Sequence, residues 1–509
     1  MRVLMLVSEA PPIKSGIARV AGKLTEGLRA RGINLDVLSA NEIYRLNVKE
    51  FRISSLLVRW PAIQRRLRNY DVLHIHGTVP TFSDVALVLG DWAREAYPRL
   101  GIVYTHHSDI DIAGLEKPAG VYNSFHSRLL ARADHVVAST ASYAQQLESY
   151  ARPGRVSAVG FGVDAARFRS PAAKPERFNV LFVGQLRPYK GVDVLLRAWR
   201  DVPNADLHIV GSGHEGEQLQ QLTRELGLDS VHFHGPVPDA ELTRFYAEAH
   251  VLVLPSTRKA EAFGLVLLEG MAAGCVPVSS DLPGVRDVVG NSGFTFPVGD
   301  ATALAAVLRR LQDDPAARQA QAERAAARAV GLAWDWTVDA YDGIYRQVHL
   351  GRAMEVQARR GPLTQAALQE WLHAVADQAG ADRASLMRID GRRNELRIAA
   401  SVGLYPIFAQ SVRLPIGQRL SGFAAQTGRP LRWSRRATPA LARLYQTDPR
   451  LTSALILPLG PPGATVGVLN LARGPERTAF TAADEQWLHR LALQVGPLIR
   501  DYNLPEAVP

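Results

Sequence analysis

From Val3 to Leu350 the chain alternates short apolar runs with segments of helical spacing, each run ending in a loop rich in glycine, proline or polar residues. The runs at 3–7, 35–39, 71–76, 102–105 and 135–139 are continuous rather than alternating, as parallel strands buried on both faces are. They predict a doubly wound α/β domain over residues 1–170. A second series at 178–184, 206–211, 231–234, 251–255 and 276–279 predicts another such domain over 171–350, finished by paired helices within 301–330 and an amphipathic helix over 334–350. After a linker at 351–362 the pattern changes to a helix (363–379), short strands (383–389, 396–400, 454–459, 465–472) and a last helix (482–500). That order predicts an antiparallel α+β module over 363–502.

A chain of 509 residues with 47% hydrophobic and 21% charged positions fits this division into several folded domains and excludes wholesale disorder. Cys275 stands alone, so there is no internal disulfide and no thiolate zinc cage, which fits a reducing, cytoplasmic compartment. The apolar run at 3–7 is too short for a signal peptide, and no other stretch reaches membrane-spanning length. A net charge of +10 favours anionic partners.

Three segments carry chemistry. Glu261-Ala-Phe-Gly-Leu-Val-Leu-Leu-Glu269 sits where the strand at 251–255 gives way to a helix beginning near Gly264. A helix start directs unpaired N–H groups and partial positive charge into its loop, which suits a diphosphate. Glu261 falls in the loop and Glu269 about a turn inside the helix, two carboxylates that can accept hydrogen bonds from sugar hydroxyls. A capping glutamate with an unrelated helix glutamate is the alternative. Val183-Gly-Gln-Leu-Arg-Pro-Tyr-Lys-Gly191 has the same strand, loop, helix order and places the Lys190 cation, with Arg187 nearby, to neutralise phosphate oxygen. A solvated loop lysine is its alternative. Thr105-His-His-Ser-Asp109 follows a strand directly, at the sheet edge where open α/β folds bind ligands, although taken alone it reads first as a buried and satisfied histidine. Asp109-Ile-Asp111 has the spacing of a metal-binding Asp-x-Asp triplet, a common pattern on which no metal site is assigned.

With Lys14-Ser-Gly-Ile-Ala18, His74-Ile-His-Gly77, Gly162-Val-Asp164, Gly211-Ser-Gly213 and His234-Gly-Pro-Val237 in the same order, residues 1–350 resemble the retaining nucleotide-sugar glycosyltransferases of the two-domain GT-B fold, glycosyltransferase family 4 and group 1. The resemblance implies two Rossmann-like domains, the first for acceptor and the second for donor. It implies that Glu269 holds the donor ribose and that Glu261 faces the transferred sugar. Phe263, Gly264 and Leu265 would offer backbone N–H groups, Lys190 would bind phosphate, Gly16 would approach the diphosphate, Val237 would touch the base and His107 would lie beside the reacting sugar. Two positions depart from the family pattern. Gln185 stands where an arginine is usual, leaving Arg187 to supply the charge, and Ser15-Gly16 replaces paired glycines.

The tail resembles a GAF domain on Ala384 to Asp390, Ala399 to Gly403, Leu414 to Gly417, Ser421 to Gly428 and Gly467 to Leu471. This implies a small-molecule-binding, regulatory or homodimerising module. Having no cysteine, it cannot attach a bilin through a thioether.

The reaction implied is sugar transfer from a nucleoside diphosphate to a glycan, lipid or small-molecule acceptor with retention, in polysaccharide or glycolipid biosynthesis. It needs no metal or other cofactor. A basic helix around Arg52, Arg59, Arg65, Arg66 and Arg68 fits either peripheral contact with an anionic inner-membrane surface or a solvated face. Nucleic acid is not an expected partner. A noncatalytic nucleotide-sugar sensor is a second reading, favoured by Gln185 alone. A GT-B phosphorylase or isomerase is a third, and no matching lysine for pyridoxal phosphate supports a phosphorylase.

Overall fold

The computed structural model describes every residue except 14, 41–44, 49–50, 55, 112–113, 170–173, 437–449, 503 and 505–509. Lys14 of the first-loop motif therefore lies outside the described residues. The first lobe is a six-stranded parallel sheet in the order Asn34–Ser39, Arg2–Val7, Val72–Gly77, Gly101–His106, His135–Ala138, Val156–Ala158. Its central strands Val72–Gly77 and Gly101–His106 are buried at every position, which is why their sequence carries no alternation. The second lobe repeats the plan as Val231–Gly235, Ala205–Val210, Phe178–Val183, Val251–Leu254, Val276–Ser280, Phe294–Phe296. In each lobe the strand order reverses beside the first strand, the place where an open α/β sheet leaves a crevice beyond its carboxyl ends.

The basic segment is not one helix. Arg52 lies in a hairpin strand, Phe51–Ser54, paired with Arg45–Val48, while Arg59, Arg65 and Arg66 lie on the helix Leu56–Leu67 and Arg68 follows it. The two strands are four residues each, and so short an alternation did not separate them from the arginine-rich helix that follows. Among the described residues, no helix is long and apolar enough to cross a membrane.

The chain crosses between lobes twice, and the crossings touch. Val163 N–H donates to the Leu332 carbonyl at 2.8 Å and pairs with Ala333 in a parallel bridge. The helix expected to close the second domain does something else. It runs 27 residues, Trp334–Arg360, about 40 Å, and packs on the first lobe. Tyr341 bonds Thr105 at 2.9 Å, Tyr345 bonds His74 at 2.7 Å, and Val338 and Val348 press on Gly27 and Gly101. Residues 351–360, expected as linker, are its last turns. Amphipathic spacing reveals that a helix has an apolar face, but not which lobe covers it.

The far end of this helix enters the third domain. There a six-stranded antiparallel sheet, ordered Arg413–Pro415, Glu395–Val402, Arg383–Asp390, Gly467–Arg473, Ser453–Pro458, Leu431–Ser434, is backed by the helices Gln365–Gln378 and Ala482–Ile499. Leu350 and Met354 share a core with Trp371, Leu372, Leu488 and Leu491. Gly343 and Gly351 permit close approach to Ala482–Ile499, since a Cβ at Gly343 would lie 2.9 Å from that of Trp487. Gly343→Val should therefore overpack this crossing and cost about 1–3 kcal/mol, read as a lower thermal midpoint of the full chain. An unchanged midpoint would show that the two helices are free to separate.

Candidate interlobe active site

Two left-handed glycines shape the second lobe's half of the cleft. Gly264, at φ 72°, is the N-cap of the helix Leu265–Ala272, and a Cβ there would come within 2.7 Å of Leu254 and 2.9 Å of Val285. Among the described residues, the N–H groups of Phe263, Gly264 and Leu265 have no acceptor, as the open first turn of a helix requires. Gly191, at φ 66°, ends the turn Pro188–Lys190, and a Cβ there would sit 2.1 Å from the Pro255 carbonyl. That close approach, with Thr257 N–H donating to the Tyr189 carbonyl at 2.7 Å, locks the lysine loop to the segment leading into Glu261.

The consequence is an ion pair between Lys190 and Glu261, both side chains largely buried, with Ser256 donating to the same carboxylate at 3.2 Å. Burial pushes the Lys190 ammonium toward the neutral form, but the Glu261 carboxylate, helped by Tyr189, more than offsets this and holds its pKa above the ordinary lysine value. Arg187 is exposed, close enough to bias Lys190 the other way, and Gln185 is exposed on the same loop. Gly211 and Gly213 support that loop from below. Cβ atoms on them would strike the Gly184 and Leu186 carbonyls at 1.9 and 2.2 Å, so their role here is packing.

Glu269 is buried one turn deeper, accepting from Tyr246 at 2.7 Å and paired with Arg19 of the first lobe. The first-lobe helix Gly16–Ala30 brings Arg19 there. Its N-cap, Ser15, accepts from Ala18 N–H at 3.1 Å, which gives the serine at the departed glycine position a structural use. Gly16 lies against Leu265, 3.9 Å from where its Cβ would stand. His107 joins through aromatic contacts: its ring is 5.8 Å from Phe161, which meets Phe263 edge-on at 4.9 Å. His107 Nε2 lies 2.9 Å from His76 Nδ1. Val237 is half-buried against the core that contains Tyr246, Leu268 and Met271, beside the cleft rather than among its charged groups.

The structure thus brings Gly16, Phe263, Gly264, Leu265, Glu261, Glu269 and Lys190 to one interlobe cleft, with His107 one aromatic ring away. Sequence reasoning did not single out Arg19, Tyr246, Ser256 or Phe161. Arg19 had a usable signal, standing one helical turn after the first-loop glycine. Phe161 lies between two glycines and gave none. Asp111, of the Asp-x-Asp triplet, is engaged by Arg258 at 2.9 Å and by Lys259 N–H at 3.2 Å, an interlobe clasp matched by Asp287 accepting from Ser142 N–H and Oγ at 2.8 Å each.

Comparison with known proteins gives the family and the fold. Residues 14–167 match the family described as Glycosyltransferase Family 4, residues 164–328 match Glycosyl transferases group 1, and residues 364–500 match a GAF domain. The D-inositol 3-phosphate glycosyltransferase of Acidothermus cellulolyticus is 32% identical over 312 residues, covering 54% of this chain and 67% of that protein. The chain belongs to the family 4, group 1 glycosyltransferases. The D-inositol 3-phosphate glycosyltransferase of Thermomonospora curvata is 39% identical over 251 residues, 43% of this chain, and the match spans 58% of that relative's length. Two solved structures share the fold: sucrose-phosphate synthase of Thermosynechococcus elongatus (22% identity, TM-score 0.56, 68% of this chain and 98% of that one) and Anabaena HepE in complex with UDP (20%, 0.52, 66% and 97%). The two parallel lobes are a GT-B fold, and the third domain is a GAF domain.

Burial also fixes the protonation of the histidines beneath the cleft. It lowers His74 and His126 to about 3 and His106 to about 4, so all three are neutral in the fold. Their unfolded counterparts take up protons near 6.5. The unfolded state therefore gains protons first as pH falls, and stability must drop as pH goes from about 6.5 toward 4. A thermal midpoint that stays level between about pH 7 and 5 would contradict this burial.

Proposed function

We propose that the chain is a retaining, metal-independent glycosyltransferase that moves a sugar from a nucleoside diphosphate to a glycan, lipid or small-molecule acceptor. The observation that carries this reading is the junction of a helix start with free N–H groups, the Lys190 cation and two buried carboxylates in one cleft. Each part suits one part of an activated sugar. The open turn at Phe263 to Leu265 and the Lys190 ammonium stabilise the charge that grows on a departing diphosphate, with Arg187 taking the place of the arginine that Gln185 replaces. Glu261 and Glu269 accept from hydroxyls of the transferred sugar and of the ribose. Val237 flanks the base. His107, held neutral, donates or accepts a hydrogen bond beside the sugar without adding charge.

Lys190 and Glu269 already have protein partners, so donor binding is an exchange. Phosphate oxygen takes over the ammonium that Glu261 holds, and a ribose hydroxyl joins the carboxylate that Arg19 and Tyr246 hold. Since Arg19 comes from the first lobe and Glu269 from the second, that exchange is tied to how closely the lobes meet, which also governs the exclusion of water from the transfer. The UDP bound by the HepE protein, a structural neighbour, supports a nucleoside diphosphate as the shared element of the donor. The names of the relatives support inositol phosphate as one acceptor to test. Arg59, Arg65 and Arg66 on Leu56–Leu67 support peripheral contact with anionic lipid, and the GAF domain supports regulation or dimerisation.

Lys190→Ala and Glu269→Ala should each lower transfer by about 10²–10³-fold, with unfolding midpoints that show a folded protein. The assay is product formation across UDP, GDP and ADP sugars with inositol phosphate, glucan and lipid acceptors. Near-normal rates in both variants would refute the site. Binding without turnover by the unaltered protein would favour the sensor reading. Gln185→Arg should tighten nucleoside diphosphate binding and Arg187→Ala should weaken it, both measurable by calorimetry.

A further inference from the structure

A cavity of about 410 Å³ lies where the three domains meet, next to the candidate active site through Phe161. Its floor is built from both interlobe crossings, Gly160-Phe161 and Gly331-Leu332-Ala333. One wall is the helix Trp334–Arg360, through Trp336, Ala340 and Ile344, and the other is the last GAF helix, through Gln486, His489 and Arg490. The volume lies within the range that encloses a small organic ligand.

Its chemistry is lopsided. Arg490 makes one hydrogen bond, from Nε to Gln347 Oε1 at 2.9 Å, and among the described residues it has no ion pair. Burial alone lowers its pKa, to about 10, so it is still a cation at neutral pH without a protein counter-charge. Behind the lining, Gln347 holds Arg490 through that bond and His135 bonds the cavity-lining Ser157 at 2.9 Å, so Arg490 is positioned by neutral groups alone. A half-buried cation without a counter-charge, set among Phe161, Ile344 and Trp336, describes a receptor for a molecule with an anionic end and an apolar body.

We infer that this hinge cavity is a binding site for a small organic anion, whose charged group pairs with Arg490 while its hydrocarbon or aromatic body lies against Trp336 and Ile344. The occupant touches both crossings and the GAF domain at once. Its affinity therefore depends on how the lobes stand, and the dependence runs both ways. Phe161 lines this cavity and also touches the rings of His107 and Phe263, so the cavity and the cleft share one side chain.

The test uses the full chain and no nucleotide sugar, so that its outcome is separate from that of the transfer assay. Benzoate and phenyl phosphate serve as probes, with benzyl alcohol and inorganic phosphate as the matched neutral and body-less controls, each to about 10 mM, well above the millimolar constant expected of a fragment. Binding is read by calorimetry and by tryptophan fluorescence, whose change should vanish in Trp336→Phe. Both aromatic anions should bind and both controls should not. Arg490→Gln should weaken binding about tenfold or more, and Ala340→Leu, which fills the cavity, should abolish it while keeping the thermal midpoint of the parent. Asp287→Ala, which cuts an interlobe clasp far from the cavity, should shift the benzoate affinity. Four findings would each overturn the inference: no binding by either aromatic anion, equal binding in Arg490→Gln, binding of inorganic phosphate as strong as that of phenyl phosphate, or a benzoate affinity indifferent to Asp287→Ala.

Discussion

The burial of Lys190 against Glu261 is the constraint on which the cleft depends. Two charges taken out of water hold each other only if both loops are fixed, because either one left alone in that place would cost several kcal/mol. The protein fixes them with backbone rather than with side chains. The left-handed Gly191 lets one loop touch the carbonyl of Pro255, and the left-handed Gly264 turns the other loop directly into a helix whose opening N–H groups stay free. The same geometry that pairs the charges therefore leaves unsatisfied donors beside them, a standing attraction for an anion.

Closure of the cleft uses a second pairing of the same kind, at longer sequence range. Glu269 accepts from Tyr246 within its own lobe and from Arg19 across the gap. Asp111 and Asp287 add interlobe clasps on either side. These contacts are polar and set around a shared apolar core, so the lobes meet through groups that can change partners without exposing much hydrocarbon.

Much of the fold was legible because buried parallel strands write themselves as unbroken apolar runs, and 3–7 and 251–254 are clear examples. The candidate site was legible where loop chemistry follows a strand directly, as at Lys190 and in the segment from Glu261 to Glu269. What stayed hidden depended on partners far away in sequence. Nothing in Trp334–Arg360 says that Tyr341 and Tyr345 seek Thr105 and His74 of the first lobe rather than the nearer second one. Arg19 stands one helical turn after Gly16, but its partner Glu269 is 250 residues away in the chain, so its position was legible and its pairing was not. The hairpin at Arg45–Val48 and Phe51–Ser54 is two strands of four residues each, alternation too short to stand out from the basic stretch that follows it.

The long helix carries a consequence for how such a protein is assembled in evolution. Its first half is part of the transferase and its last turns are part of the GAF core, with Leu350 and Met354 already facing Trp371 and Leu372. The two modules are consequently not beads on a thread. A recombination that traded this tail for another would have to import a matching surface on those final turns, so catalytic lobes and appended domain inherit one continuous rod and must drift in sequence together.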